Sequence, residues 1–158
     1  VTTRAVRAAA IAALAGLGLA GCAMQETSPE PVSVFSLSRG DCFSTDAEHT
    51  AAFVTPCSEP HLFEVTDVHP VEGDAFPGDE ALQALTDELC PAAFADYTGG
   101  APAASDSWAA MGFAPGEAGW DEQDDREIVC VVTPGDGAET SDSAQGVPSD
   151  YPTPEGTP

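Results

Sequence analysis

Four cysteines constrain this chain more than any other feature. Cys42, Cys57, Cys90 and Cys130 are spread over about 100 residues, the common size of one domain. A domain that small buries a modest core. In an exported protein an even cysteine count then implies disulfides, here with three possible connectivities. The fifth cysteine, Cys22, belongs to a different signal. It closes Leu19-Ala20-Gly21-Cys22 at the end of an apolar run from Ala8 to Gly21, with Arg4 and Arg7 upstream. A charged start, a short apolar stretch and a small-residue cleavage site are the plan of a secretory signal. A Cys directly after Leu-Ala-Gly has the form of a bacterial lipobox. The run is shorter than the roughly 20 apolar residues of a membrane span, and Ala5-Val6 separates the two arginines, so it is no twin-arginine signal. The expectation is removal of residues 1–21, diacylation of Cys22 and residence on the outer face of the cell membrane. One acyl chain holds a protein only marginally, and two hold it firmly. Zinc bound by the other four cysteines is disfavoured, because such sites use close pairs such as C-x2-C.

All 27 acidic residues follow Gly21, against only Arg39 and Arg126 on the same side of the cut. Such a surface repels phosphate backbones and anionic headgroups, which excludes nucleic acid as a partner and leaves membrane contact to the lipid. Cationic partners are favoured in principle, although solubility alone explains the charge. Lys and Asn are absent, and isoleucine occurs only at Ile11 and Ile128. These residues use A- and T-rich codons, so the composition predicts a GC-rich gene, as in actinobacteria.

Residues 22–33 read as a polar, Pro-containing tether. Residues 134–158 are rich in Gly, Ser, Pro, Asp and Glu and are expected to be disordered, for want of surface to bury. The domain expected between them, 34–133, begins with a strand at Val34–Leu37. Further strands are predicted at Ala51–Thr55, Leu62–Val68, Trp108–Phe113 and Glu127–Thr133. Pro77-Gly78-Asp79 starts a helix, with Asp79 placed to cap it and Leu82, Leu85 and Leu89 as its apolar face. Pro91 predicts a break or kink after Cys90, with Ala92–Tyr97 as a second helical piece. The class is α+β, a small and mostly antiparallel sheet packed on one helix.

Several blocks resemble the septum formation family of actinobacterial envelope lipoproteins. They are Gly40-Asp41-Cys42-Phe43, then Val54-Thr55-Pro56-Cys57-Ser58-Glu59-Pro60-His61, then Glu64-Val65. That family's helix cysteine and following aromatics are matched by Cys90, Phe94 and Tyr97, and its closing Trp, Arg and strand Cys by Trp120, Arg126 and Cys130. The resemblance covers roughly Phe35 to Val132. Asp121 to Asp125 is an acidic insertion where the family pattern has a short Gly-containing turn. The resemblance implies a link to cell division and says nothing firm about mechanism. With the elements in this order, Cys42–Cys57 would close a local two-strand loop and Cys90–Cys130 would tie the helix to the last strand.

His61 and Glu64 form an H-x-x-E pair beside Cys57. They could supply half a metal site or an acid–base pair. On one strand, spacing of three puts them on opposite faces, so they converge only if His61 still lies in the turn after Pro60. The favoured reading is structural: His61 bonding backbone in that turn, and Glu64 pairing a cation. Arg126 is expected to pair with Glu64 or an acidic neighbour. Trp120 is read as either core or cleft wall. No G-x-S-x-G elbow and no phosphate loop occurs, and the order of Asp121–Asp125 is not that of a calcium loop. The expectation is therefore a non-catalytic, cofactor-free binding or scaffolding protein of the envelope, with a division protein as a possible partner. The alternatives are an envelope hydrolase or metal-dependent enzyme using His61 and Glu64, and a small-ligand binder. Replacing Cys22→Ala should release the protein to the medium or leave its precursor uncleaved. Cell fractionation checks this, and a mature-sized mutant still on the membrane would remove the anchor.

Overall fold

The computed structural model describes residues 30–49, 51–100 and 107–146. The expected signal at 1–21, Cys22, most of the tether and residues 147–158 lie outside them. Five strands form one antiparallel sheet: β1 (Cys42–Thr45), β2 (Ala52–Thr55), β3 (Phe63–Pro70), β4 (Trp108–Phe113) and β5 (Glu127–Pro134), in the order β2-β1-β3-β5-β4. One helix, α1 (Asp79–Thr98), packs on the sheet. The fold is α+β, as expected, and both disulfides, Cys42–Cys57 and Cys90–Cys130, are present.

β5 organises the core. Its run Ile128-Val129-Cys130-Val131-Val132 is apolar throughout rather than alternating, and all five residues are buried. A strand covered on both faces reads this way. Val129 and Val131 face Phe43, Phe63, Val65, Val34 and Leu37. Ile128 and Cys130 face Cys90 and Ala93 of α1, while Val132 packs on Phe94. By the chain-entropy model the Cys90–Cys130 link between α1 and β5 contributes about 3 to 4 kcal/mol.

Four local expectations are corrected. Val34–Leu37 is not a strand: Val34–Ser36 forms a 3-10 turn, with the Ser33 hydroxyl accepting from the Phe35 amide at 3.2 Å. A strand would point Val34 and Leu37 to opposite faces, whereas the turn buries both in the same cluster. The helix is not divided at Pro91 but runs unbroken from Asp79 to Thr98. Pro91 removes one helical bond, but Cys90 is held by its disulfide and Phe94 and Tyr97 are buried beyond it. That packing keeps the last two turns helical. Asp79 is the first helical residue, and the cap is Gly78, at φ 95°. The buried face is Leu82, Thr86, Cys90, Ala93, Phe94 and Tyr97; Leu85 and Leu89 pack at its margin.

The fourth correction concerns the end of the domain. Residues beyond Thr133 do not leave the fold: β5 extends to Pro134, a turn closes with Gly137 donating to the Pro134 carbonyl at 3.0 Å, and Ala144 is fully buried against Phe94 and Val132. The expected disorder therefore does not hold for residues 134–146.

α1 crosses β4 very closely at Gly112. A Cβ there would stand 2.5 Å from Thr86 Cγ2 and 2.8 Å from Cys90 Sγ. Neither neighbour can yield easily. The Thr86 hydroxyl donates to the Leu82 carbonyl at 2.9 Å, and Cys90 is cross-linked. Gly112→Ala should therefore destabilise the fold by about 1 to 3 kcal/mol, the usual cost of overpacking. Urea unfolding of the two proteins measures it.

Candidate functional site

β3 begins just after a turn ended by Pro60, and His61 sits between the two. Its backbone makes a two-bond bridge with Thr140: His61 N–H to the Thr140 carbonyl and Thr140 N–H to the His61 carbonyl, both at 2.9 Å. The His61 ring is 1 % exposed. Its Nδ1 lies 2.8 Å from the Glu59 carbonyl. A carbonyl only accepts, so Nδ1 carries the proton. Nε2 is buried and has no bonding partner among the described residues. His61 thus bonds backbone in the turn through its ring and bridges to Thr140 through its own backbone.

Glu64 stands two residues into the strand on the face toward α1 and is 2 % exposed. Its Oε1 accepts from the Tyr97 hydroxyl and from the Ser143 hydroxyl, the latter at 2.6 Å. Its Oε2 accepts from the Ala144 amide at 2.8 Å. No cation takes part among the described residues, which corrects the expected ion pair of Glu64. A buried carboxylate is costly unless donors surround it, and here three do. The clamp continues beyond the carboxylate, where Gln145 N–H donates to Ser143 Oγ at 3.1 Å and Gly146 N–H to the Tyr97 carbonyl at 3.0 Å. His61 and Glu64 therefore converge on one segment of their own chain, residues 140–146, the first through its backbone and the second through its carboxylate.

The other expected residues form a separate cluster. Trp120 is core rather than cleft wall: it is fully buried, within a short π-type turn at Gly119–Gln123. Its Nε1 donates to the Asp74 carbonyl at 3.4 Å, and Phe76 meets its ring edge-on at 6.0 Å. The Arg126 guanidinium lies 4.1 Å above the Trp120 ring, and Nε donates to Asp124 Oδ1 at 2.9 Å. Arg126 therefore pairs with its acidic neighbour and not with Glu64. At the end of the acidic run, the Asp125 amide donates to the Gly119 carbonyl at 3.1 Å. Burial, and then the charge of Asp124, push the Asp125 carboxyl above the ordinary range.

Among the described residues, one set has metal-ligand spacing, Cys42, Cys57 and Glu64 within 4.8 Å of one another. The two sulfurs share a disulfide and both Glu64 oxygens are already engaged, so the set offers no thiolate and no spare carboxylate. Sequence reasoning missed Thr140, Ser143 and Ala144 altogether and gave Tyr97 no role. Only the family pattern pointed to Tyr97, and nothing in the polar composition after Thr133 marked the other three.

Burial, with the Glu64 carboxylate second, raises the Tyr97 phenol well above its ordinary value, which is about 10. In the unfolded chain Tyr97 ionises near that ordinary value, while the folded chain keeps it protonated. The stability this group contributes is complete below about pH 10 and is lost as pH rises beyond it. Unfolding free energy should therefore fall above about pH 10 in the wild type. Tyr97→Phe should be less stable at neutral pH and lose less on going alkaline. Denaturant titrations between pH 8 and 11 provide the check, and parallel profiles for the two proteins would contradict it.

The sequence model of one family, described as septum formation, matches residues 39–151, well over half of the chain. The matched stretch takes in β1 to β5, α1 and the segment held by Glu64. No curated protein and no solved structure matches. The chain belongs to the septum formation family.

Proposed function

We propose that this protein is exported, anchored to the outer face of the cell membrane through Cys22, and acts in septum formation by binding or scaffolding other proteins rather than by catalysing a reaction. Family membership carries the link to the septum. Two disulfides support an extracytoplasmic address, because reducing compartments rarely retain them. The non-catalytic reading is supported by the polar chemistry of His61 and Glu64. The Glu64 oxygens and His61 Nδ1 are bonded within the fold, and both residues are closed off from solvent. A general acid or base must instead reach a substrate proton. No observation favours a hydrolase or a small-ligand pocket over this reading.

Depletion in the native host tests it. Depleted cells should form misplaced or incomplete septa, wild type should restore them, and Cys22→Ala should restore them poorly. Normal septa on complete depletion would overturn the proposal.

A further inference from the structure

The two edges of the sheet are finished differently. At the β2 edge, Val32 bonds Ala52 in both directions, N–H to carbonyl at 2.9 Å and 2.8 Å. Along β4 from Ala110 to Gly112 no such cover is present among the described residues. The Gly135 amide donates to the Ser107 carbonyl at 2.9 Å, in register with the β4–β5 pairs. Antiparallel pairs alternate, so residues 109, 111 and 113 bond to β5. Ala110 and Gly112 then turn their amides and carbonyls outward, and no backbone bond is made to them on that side among the described residues.

Natural edge strands are usually protected by charge, proline or a bulge. β4 reads Trp-Ala-Ala-Met-Gly-Phe and has none of these. Met111 is 44 % exposed. Beside the edge runs an open groove of about 500 Å³, walled by α1 at Gln83, Asp87 and Pro91 and floored by Ala110 to Gly112. Pro91 has no amide to donate to the Asp87 carbonyl, and the Asp87 carboxylate accepts from Gln83 at 2.8 Å. The wall is therefore rich in acceptors and carries negative charge.

We propose that the β4 edge and this groove receive an extended, cationic segment of a partner protein, which adds to the sheet as a sixth strand. This rests on the binding role proposed above and names its surface and the chemistry of its partner. Backbone pairing would supply affinity, and alternate side chains of the guest would enter the groove. Charge selects the occupant. With all 27 acidic residues beyond Gly21, a second copy of the chain is repelled. The sequence of 147–158 is unsuitable for the same reason, and Pro148, Pro152 and Pro154 also remove the donors a strand needs.

The test uses the full chain in zwitterionic detergent and a short peptide of alternating Lys and Val. Amide NMR should show Ala110 and Gly112 shifting and gaining exchange protection, with binding weakened by salt. A matched Glu/Val peptide should not bind. Ala110→Pro removes an outward donor without breaking a β4–β5 bond, and should weaken binding at least about tenfold. Met111→Lys keeps the backbone and should weaken it several-fold through repulsion. A thermal melt confirms that each variant is folded, and Met111→Lys decides if Ala110→Pro is not. Four results would overturn the proposal: equal binding by a folded variant, equal binding of the Glu/Val peptide, shifts elsewhere or none, or a dimer formed through β4. The depletion assay separates the two readings. If Ala110→Pro and Met111→Lys restore septa fully where the empty vector does not, the edge is wrong and the septal role stands. If depletion leaves septa normal, the septal role fails whatever the peptide does.

Discussion

The fold closes around one buried negative charge. Glu64 joins three parts of the chain that share no local sequence: its own strand β3, the end of α1 through Tyr97, and the segment at Ser143 and Ala144. Taking away any one donor would leave a desolvated carboxylate short of partners, which costs more than an exposed ion pair ever returns. The Arg39–Asp96 pair illustrates the contrast. It is formed at 2.8 Å but is largely exposed, and its main consequence is to set the Arg39 guanidinium over the Tyr97 ring at 5.3 Å. The charge in the core thus specifies which segments meet, and the surface charge merely decorates them.

Apolar packing and covalent links supply what the carboxylate does not. β5 presents valines to one layer and Ile128, Cys130 and Val132 to the other, so the sheet cannot slide without exposing one of its two faces. The two disulfides fasten the fold at different places. Cys42 opens β1 and joins the turn after β2, while Cys90 holds mid-helix to mid-strand. The tight passage of α1 over Gly112 is a product of that second link, because a cross-link so near the β4 backbone leaves no room for a side chain.

Legibility in the sequence followed the range of the forces involved. The apolar run of β5 and the start of α1 could be read because each leaves a local pattern, and the two cysteine pairs, chosen from three connectivities, were the ones that join neighbouring elements in the expected order. Val34–Leu37 misled because a four-residue segment with three apolar side chains fits a strand and a turn equally well, and only the shared cluster of Val34 and Leu37 decides. Pro91 misled because its local penalty is real, yet burial of Phe94 and Tyr97 outweighs it. The burial of Ala144 was illegible: its environment comes from Glu64, 80 positions earlier, and nothing in a Ser-, Asp- and Gly-rich stretch announces a buried acceptor waiting for it. His61 and Glu64 stood out as a pair for the wrong reason, since what unites them is the segment they both hold.

The bridge between Val32 and Ala52 has a geometric consequence. Were Cys22 to carry the proposed lipid, the roughly ten positions from it to Val32 would bound the reach to the sheet at about 35 Å. The domain would then be held by one rim of its sheet. Strands are spaced about 4.8 Å apart, so β4, four strands away in the order, is displaced about 19 Å from the leashed rim. An anchored molecule of this kind has a near side and a far side. If the proposed lipid on Cys22 is present, the β2 rim would be the near side and β4 the far side.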